Sequence, residues 1–120
     1  MKKIFIIVTI IWGSFIFASC KKATPDNDQQ KTINATIKKN EPFQYKFGLI
    51  GIEDNISISQ QANNFKISEL NRDSSGKIIY TYMPGLNFVG ADEVEISLGI
   101  SNGAVIINTV KTKIKLTVTN

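Results

Sequence analysis

The stretch Glu93-Val94-Glu95-Ile96-Ser97-Leu98-Gly99-Ile100 decides the fold. An aliphatic residue stands at every second position, and the positions between are acidic or small. Successive side chains of an extended backbone point to opposite faces, so this pattern makes a strand with one oily and one hydrated face. Ser101-Asn102-Gly103 follows, and Asn-Gly is a strong hairpin signal. In the segment beyond, Val105 and Ile107 occupy odd positions, whereas Val110, Ile114, Leu116 and Val118 occupy even ones. A strand cannot change parity without turning its oily face outward. One residue must therefore be absorbed, and a β-bulge or short break is expected around Asn108 and Thr109. Lys111, Lys113 and Lys115 form the opposite face, a row suited to pair across the sheet with Glu93 and Glu95 and to blunt association between strands.

Upstream the same period recurs. Ile33, Ala35 and Ile37 alternate with polar residues, as do Phe43, Tyr45, Phe47 and Leu49 after Pro42; Ile56 and Ile58, then Phe65 and Ile67, continue the series. The turn formers Asn71 to Lys77 separate the fourth run from Ile78-Ile79-Tyr80-Thr81-Tyr82-Met83-Pro84. Seven short runs with no helical segment after residue 19 imply an all-β domain, an antiparallel β-sandwich of two sheets with Greek-key crossings. A closed barrel of the same strands is the alternative.

The chain has 120 residues, one cysteine and no histidine. Lys2 and Lys3 precede an apolar segment from Ile4 to Phe17, which is shorter than the roughly 20 residues a spanning helix needs and of the length of a secretory signal core. It ends at Phe17-Ala18-Ser19-Cys20, which resembles a bacterial lipoprotein signal, with Phe17 where that family usually has Leu. The resemblance implies that residues 1–19 are removed and that Cys20 carries the lipid. Several acyl chains on one residue suffice for stable attachment. The absence of an Asp directly after Cys20 resembles lipoproteins sent to an outer membrane, with the leaflet left open. Residues 20–31 are polar and read as a flexible tether, and the folded domain is expected over 32–120. Without Lys2 and Lys3 the 14 basic residues become 12 against 10 acidic ones, a net charge of +2 that gives no argument for a nucleic-acid partner. A lone cysteine means that no disulfide supports the domain.

Tyr82-x-Pro84-xxx-Phe88-x-Gly90-x-Asp92 resembles the segment linking two strands in bacterial immunoglobulin-like and cadherin-like extracellular domains. The resemblance covers about the last 45 residues and implies an immunoglobulin-like sandwich. Val94 and Ile96 stand where that family often has aromatic residues. Each motif residue has a mechanical use. Pro84 stops a strand, Phe88 plugs the end of the sandwich, Gly90 supplies backbone freedom, and Asp92 can accept from turn amides.

Asp92 with Glu93, or with the loop acids Glu53 and Asp54, is the only candidate calcium set, but that ion wants six to eight oxygens and no acidic run supplies them. No metal or other cofactor is expected. Without histidine there is no Ser-His-Asp or Cys-His arrangement, so the chain reads as non-catalytic; a carboxylate pair among Glu53, Asp54, Glu69 and Asp73 is the remaining hydrolytic possibility. Two functions stand: an interaction or scaffold module tethered to the envelope membrane, contacting an envelope protein through loops or a strand edge, or a small glycan-binding lipoprotein using Tyr80 or Tyr82. Exposed rings favour the second and buried rings the first.

Overall fold

The computed structural model describes residues 28–120, and Cys20 with the segment before it lies outside the described residues. Seven strands run along the described chain: β1 (Asp28–Lys38), β2 (Phe43–Gly48), β3 (Asn55–Gln60), β4 (Phe65–Arg72), β5 (Ile78–Pro84), β6 (Gly90–Ser101) and β7 (Ile106–Thr119). They form two open sheets, β1-β7-β6-β3 and β2-β5-β4, so the barrel alternative falls away. Hairpins join β4 to β5 and β6 to β7, while β1 to β2, β2 to β3, β3 to β4 and β5 to β6 cross between sheets, the Greek-key order of an immunoglobulin-like sandwich.

The core lies between the sheets. Tyr80, Tyr82, Val94, Ile96, Ile114, Leu116 and Val118 are fully enclosed, and Ile33, Ile37, Phe43, Phe47, Ile56 and Ile58 close in from the edge strands. Each enclosed aliphatic contributes about 1.5–3 kcal/mol by leaving water. The alternation of β6 is as expected, and its outer acids meet the lysine row: Glu93 lies opposite Lys115, Glu95 opposite Lys113, with a diagonal ion pair of 3.3 Å between Lys113 and Glu93.

The expected bulge sits one residue earlier than placed. Ile100 pairs with Asn108 and Ser101 with Ile106, so Ile107 is the extra residue. Asn108 follows it with a buried Oδ1 that finds no partner among the described residues. Beyond this point the even residues of β7 face the core, whereas Val105, Ile106 and Ile107 are exposed.

Four expectations need correction. Residues 28–31, expected in the tether, are already strand, since Asp28 to Lys31 pair with Thr109 to Thr112; a backbone ladder needs no apolar side chains, so residue types leave no mark of such an edge. That pairing is parallel, so the larger sheet is mixed and not wholly antiparallel. Leu49 lies past the end of β2 and is 71% exposed. In β4 a register shift at Lys66 breaks the alternation of Phe65 and Ile67: Ile67 lies in register with the outward Met83, Phe65 in register with Pro84 is also exposed, and Ser68 and Leu70 take the core side, where the Ser68 hydroxyl meets that of Tyr80 at 2.7 Å.

Candidate functional site

The motif residues all cluster at one end of the sandwich, where β5 crosses to β6. Pro84 ends β5 and is buried, and Gly85 to Phe88 form a turn closed by Phe88 N donating to Gly85 O at 3.0 Å. Asn87 takes a left-handed conformation at φ 59°, which asparagine tolerates better than most residues. Its side chain and backbone meet Asn40, itself left-handed, so the β1–β2 turn is tied to this crossing. Gly90 has φ 143°, a conformation that strains any side chain, and a Cβ there would lie 3.3 Å from the Phe88 ring, which would have to give by a few tenths of an ångström.

Asp92 is the hub. Its Oδ1 accepts from the backbone N–H groups of Asn63 and Glu93, both at 2.9 Å, and its Oδ2 from Asn64 N–H at 2.8 Å and the Tyr82 hydroxyl at 2.9 Å. Two carboxylate oxygens thus hold four donors, which occupies their lone pairs. The arrangement pins the β3–β4 loop across to the other sheet. Nearby, Gln61 Oε1 accepts from the Ser68 hydroxyl, which in turn meets Tyr80. This second network was not legible in the residue types, because glutamine and serine in a loop and a strand carry no packing signal.

Burial pushes the Tyr80 phenol up to about 12; its hydrogen bond to Ser68 opposes this and the charge of Asp92 adds to it. Tyr82 is raised further, first by burial and then by donating to the Asp92 carboxylate. Unfolded tyrosines ionise near 10, so between about 10 and 12 the folded state binds more protons than the unfolded one, and stability falls as pH rises through that window. Below pH 10 the contribution is intact. We expect the denaturant midpoint to hold steady up to about pH 9.5 and then drop, with tyrosinate absorbance from Tyr80 and Tyr82 appearing only as the strand circular dichroism is lost; tyrosinate from both at full native signal contradicts the burial.

Glu53 and Asp54 lie at the opposite end from Asp92, so the structure does not bring the candidate calcium set together. Asp54 instead accepts from Gly51 N–H at 2.8 Å and Ser101 N–H at 3.0 Å, and Asp73 from Ser75 and Lys77, bonds that lower its carboxyl below the usual value, the Ser75 hydroxyl most of all. Among the described residues no group of three metal-ligating side chains converges.

Three surfaces are open to a partner. A shallow hollow of about 380 Å³ lies on the outer face of the larger sheet, lined by Asn34, Asn63, Glu93, Lys115 and Thr117 without an aromatic ring. At the motif end, Ile67 lies in register with Met83 on the outer face of β4 and β5, with Phe65 beside Pro84 and Leu86 over a smaller hollow. At the other end, the loop after β2 carries Leu49 and Ile52, and the β6–β7 hairpin with the start of β7 carries Val105, Ile106 and Ile107, all exposed. Of the four edge strands, β2, β3 and β4 each interrupt the register, at Phe47, Ser59 and Lys66, and such bulges discourage strand addition, whereas β1 runs without a break from Asp28 to Lys38.

No family model and no curated protein matches the chain. Among solved structures it is similar to the endo-fucoidan hydrolase MfFcnA4 of glycoside hydrolase family 107, at 14% identity and a TM-score of 0.51 over 72% of this chain and 12% of that one. It is also similar to a second such hydrolase, MfFcnA9, at 14% identity, a TM-score of 0.48, 72% of this chain and 14% of that one. A third likeness is to a cysteine protease inhibitor of Entamoeba histolytica, at 8% identity, a TM-score of 0.44, 76% of this chain and 96% of that one. The chain thus spans about an eighth of the first hydrolase, and the likeness shows the fold alone.

Proposed function

We propose that the chain is a bacterial envelope lipoprotein, anchored through acylated Cys20 and carrying a non-catalytic immunoglobulin-like interaction module. The exposed apolar side chains Phe65, Ile67 and Leu86 at the motif end, with the half-buried Met83 in register with Ile67, carry the reading. These side chains lie outside the core, and contiguous exposed apolar surface on a small domain marks an interaction site. They also sit at the end remote from Asp28, where the chain leaves toward Cys20, so a tethered domain would present them outward. The glycan alternative loses support, because the Tyr80 and Tyr82 rings it requires are wholly buried.

A photo-crosslinking amino acid placed at Ile67, in cells of the native host, tests this. The expected result is a discrete protein adduct on the membrane-retained chain that is missing when the crosslinker replaces Ser57 on β3. Equal diffuse labelling from both positions counts against an interaction module.

A further inference from the structure

We infer that the loop end of the sandwich rests on the bilayer that holds Cys20, with Leu49, Ile52, Val105, Ile106 and Ile107 seated among the lipid headgroups. The inference depends on the anchoring proposed above and adds the orientation of the domain and a second, non-covalent membrane contact.

The topology brings these residues to the anchor. Asp28 pairs in parallel with Thr109, three residues beyond Ile106, which places it roughly 10 Å along the strand from the start of β7. β1 then runs away from this end, so the chain before Asp28 leaves toward it. Cys20 stands eight residues earlier (28 − 20), and its Cα therefore lies within about 28 Å of that of Asp28. A membrane holding Cys20 is thus within reach of the loop end with slack in the chain. The opposite end lies a further ten residues along β1, roughly 33 Å, and approaches only with that chain drawn nearly straight.

The loops themselves suit an interface. The loop after β2 is fixed to the β6–β7 hairpin through Asp54 and Ser101, and the hairpin through Asn102 Oδ1, which accepts from Ala104 and Val105 N–H at 3.1 Å. Backbone amides of the turns are satisfied locally, Gly51 by Asp54 and Gly103 by Ser101, and the Glu53 carboxylate shares this end; Ile52 is fully exposed, and Val105, Ile106 and Ile107 are each more than half exposed, Ile106 lying against Gly99. Apolar side chains displayed on a polar scaffold partition into the headgroup boundary. Lys21 and Lys22, beside the anchor, add attraction to an anionic leaflet. A tethered surface also meets these loops at high effective concentration, which a free partner does not.

The test uses the lipidated full chain in phosphatidylethanolamine–phosphatidylglycerol vesicles, with an environment-sensitive fluorophore on Ile52→Cys, Ile106→Cys or Leu86→Cys; intact mass checks acylation of Cys20 in each. The expected result is a blue shift and several-fold stronger quenching by headgroup-region nitroxide lipids at positions 52 and 106 than at 86. Equal quenching at all three sites with Cys20 acylated overturns the inference and leaves the anchoring in place. Shielding of position 52 that is the same in vesicles and in detergent assigns the surface to a second copy and overturns it too. An unacylated mass removes the anchoring reading and this inference together.

Discussion

Replacing Asp92 with alanine is expected to cost about 3–5 kcal/mol of unfolding free energy, since each buried donor left without an acceptor costs about 1–3 kcal/mol and water can reach only some of them. The carboxylate serves Asn63, Asn64 and Glu93 through their backbone amides and Tyr82 through its hydroxyl, within a residue only 6% exposed. Removing it frees the β3–β4 loop from the crossing between the sheets. Tyr82→Phe deletes one of the four donors and is expected to cost about 1–2 kcal/mol. The two residues share a bond, so the double variant should be less destabilised than the sum, with a coupling of about 1 kcal/mol. Urea denaturation of the four chains reads this directly. A loss below about 0.5 kcal/mol for Asp92→Ala is ordinary for a surface site and would deny the hub.

Leu116→Ala is the second large effect, about 2–5 kcal/mol, because the side chain is enclosed and its removal leaves a cavity. Ile107→Ala, an aliphatic truncation in the same strand, is expected to change stability by no more than about 0.5 kcal/mol, since its side chain is more than half exposed at the bulge. The contrast measures the change of parity in β7. Comparable losses at both positions would mean that the strand keeps a single register and that the bulge at Ile107 is misplaced.

The legibility of this fold in its sequence follows from which forces leave a mark on residue types. Burial does, so Val94, Ile96, Ile114, Leu116 and Val118 announced their faces, and the conflict between Ile107 and Val110 announced the bulge to within a residue. Backbone pairing does not, so the first four residues of β1 and its parallel ladder with β7 were hidden. In β4 the alternation of Phe65 and Ile67 suggests one inward face, but the bulge at Lys66 separates them and both are exposed, while the inward Ser68 gains its place from a hydroxyl–hydroxyl contact with Tyr80. Asp92 was legible as an acceptor for turn amides, but its donors are main-chain groups of Asn63 and Asn64, which any residue but proline could supply. The convergence of Leu49, Ile52 and the 105–107 aliphatics is a property of topology, visible only once Asp54 is seen to bridge to Ser101.

The tethered-module account is tested most directly by the intact mass of the protein purified from the membranes of its host, beside a Cys20→Ser variant. The account predicts a mass of residues 20–120 plus acyl chains, and loss of both the added mass and the membrane retention in the variant. A full-length, unmodified chain recovered in the soluble fraction would contradict it.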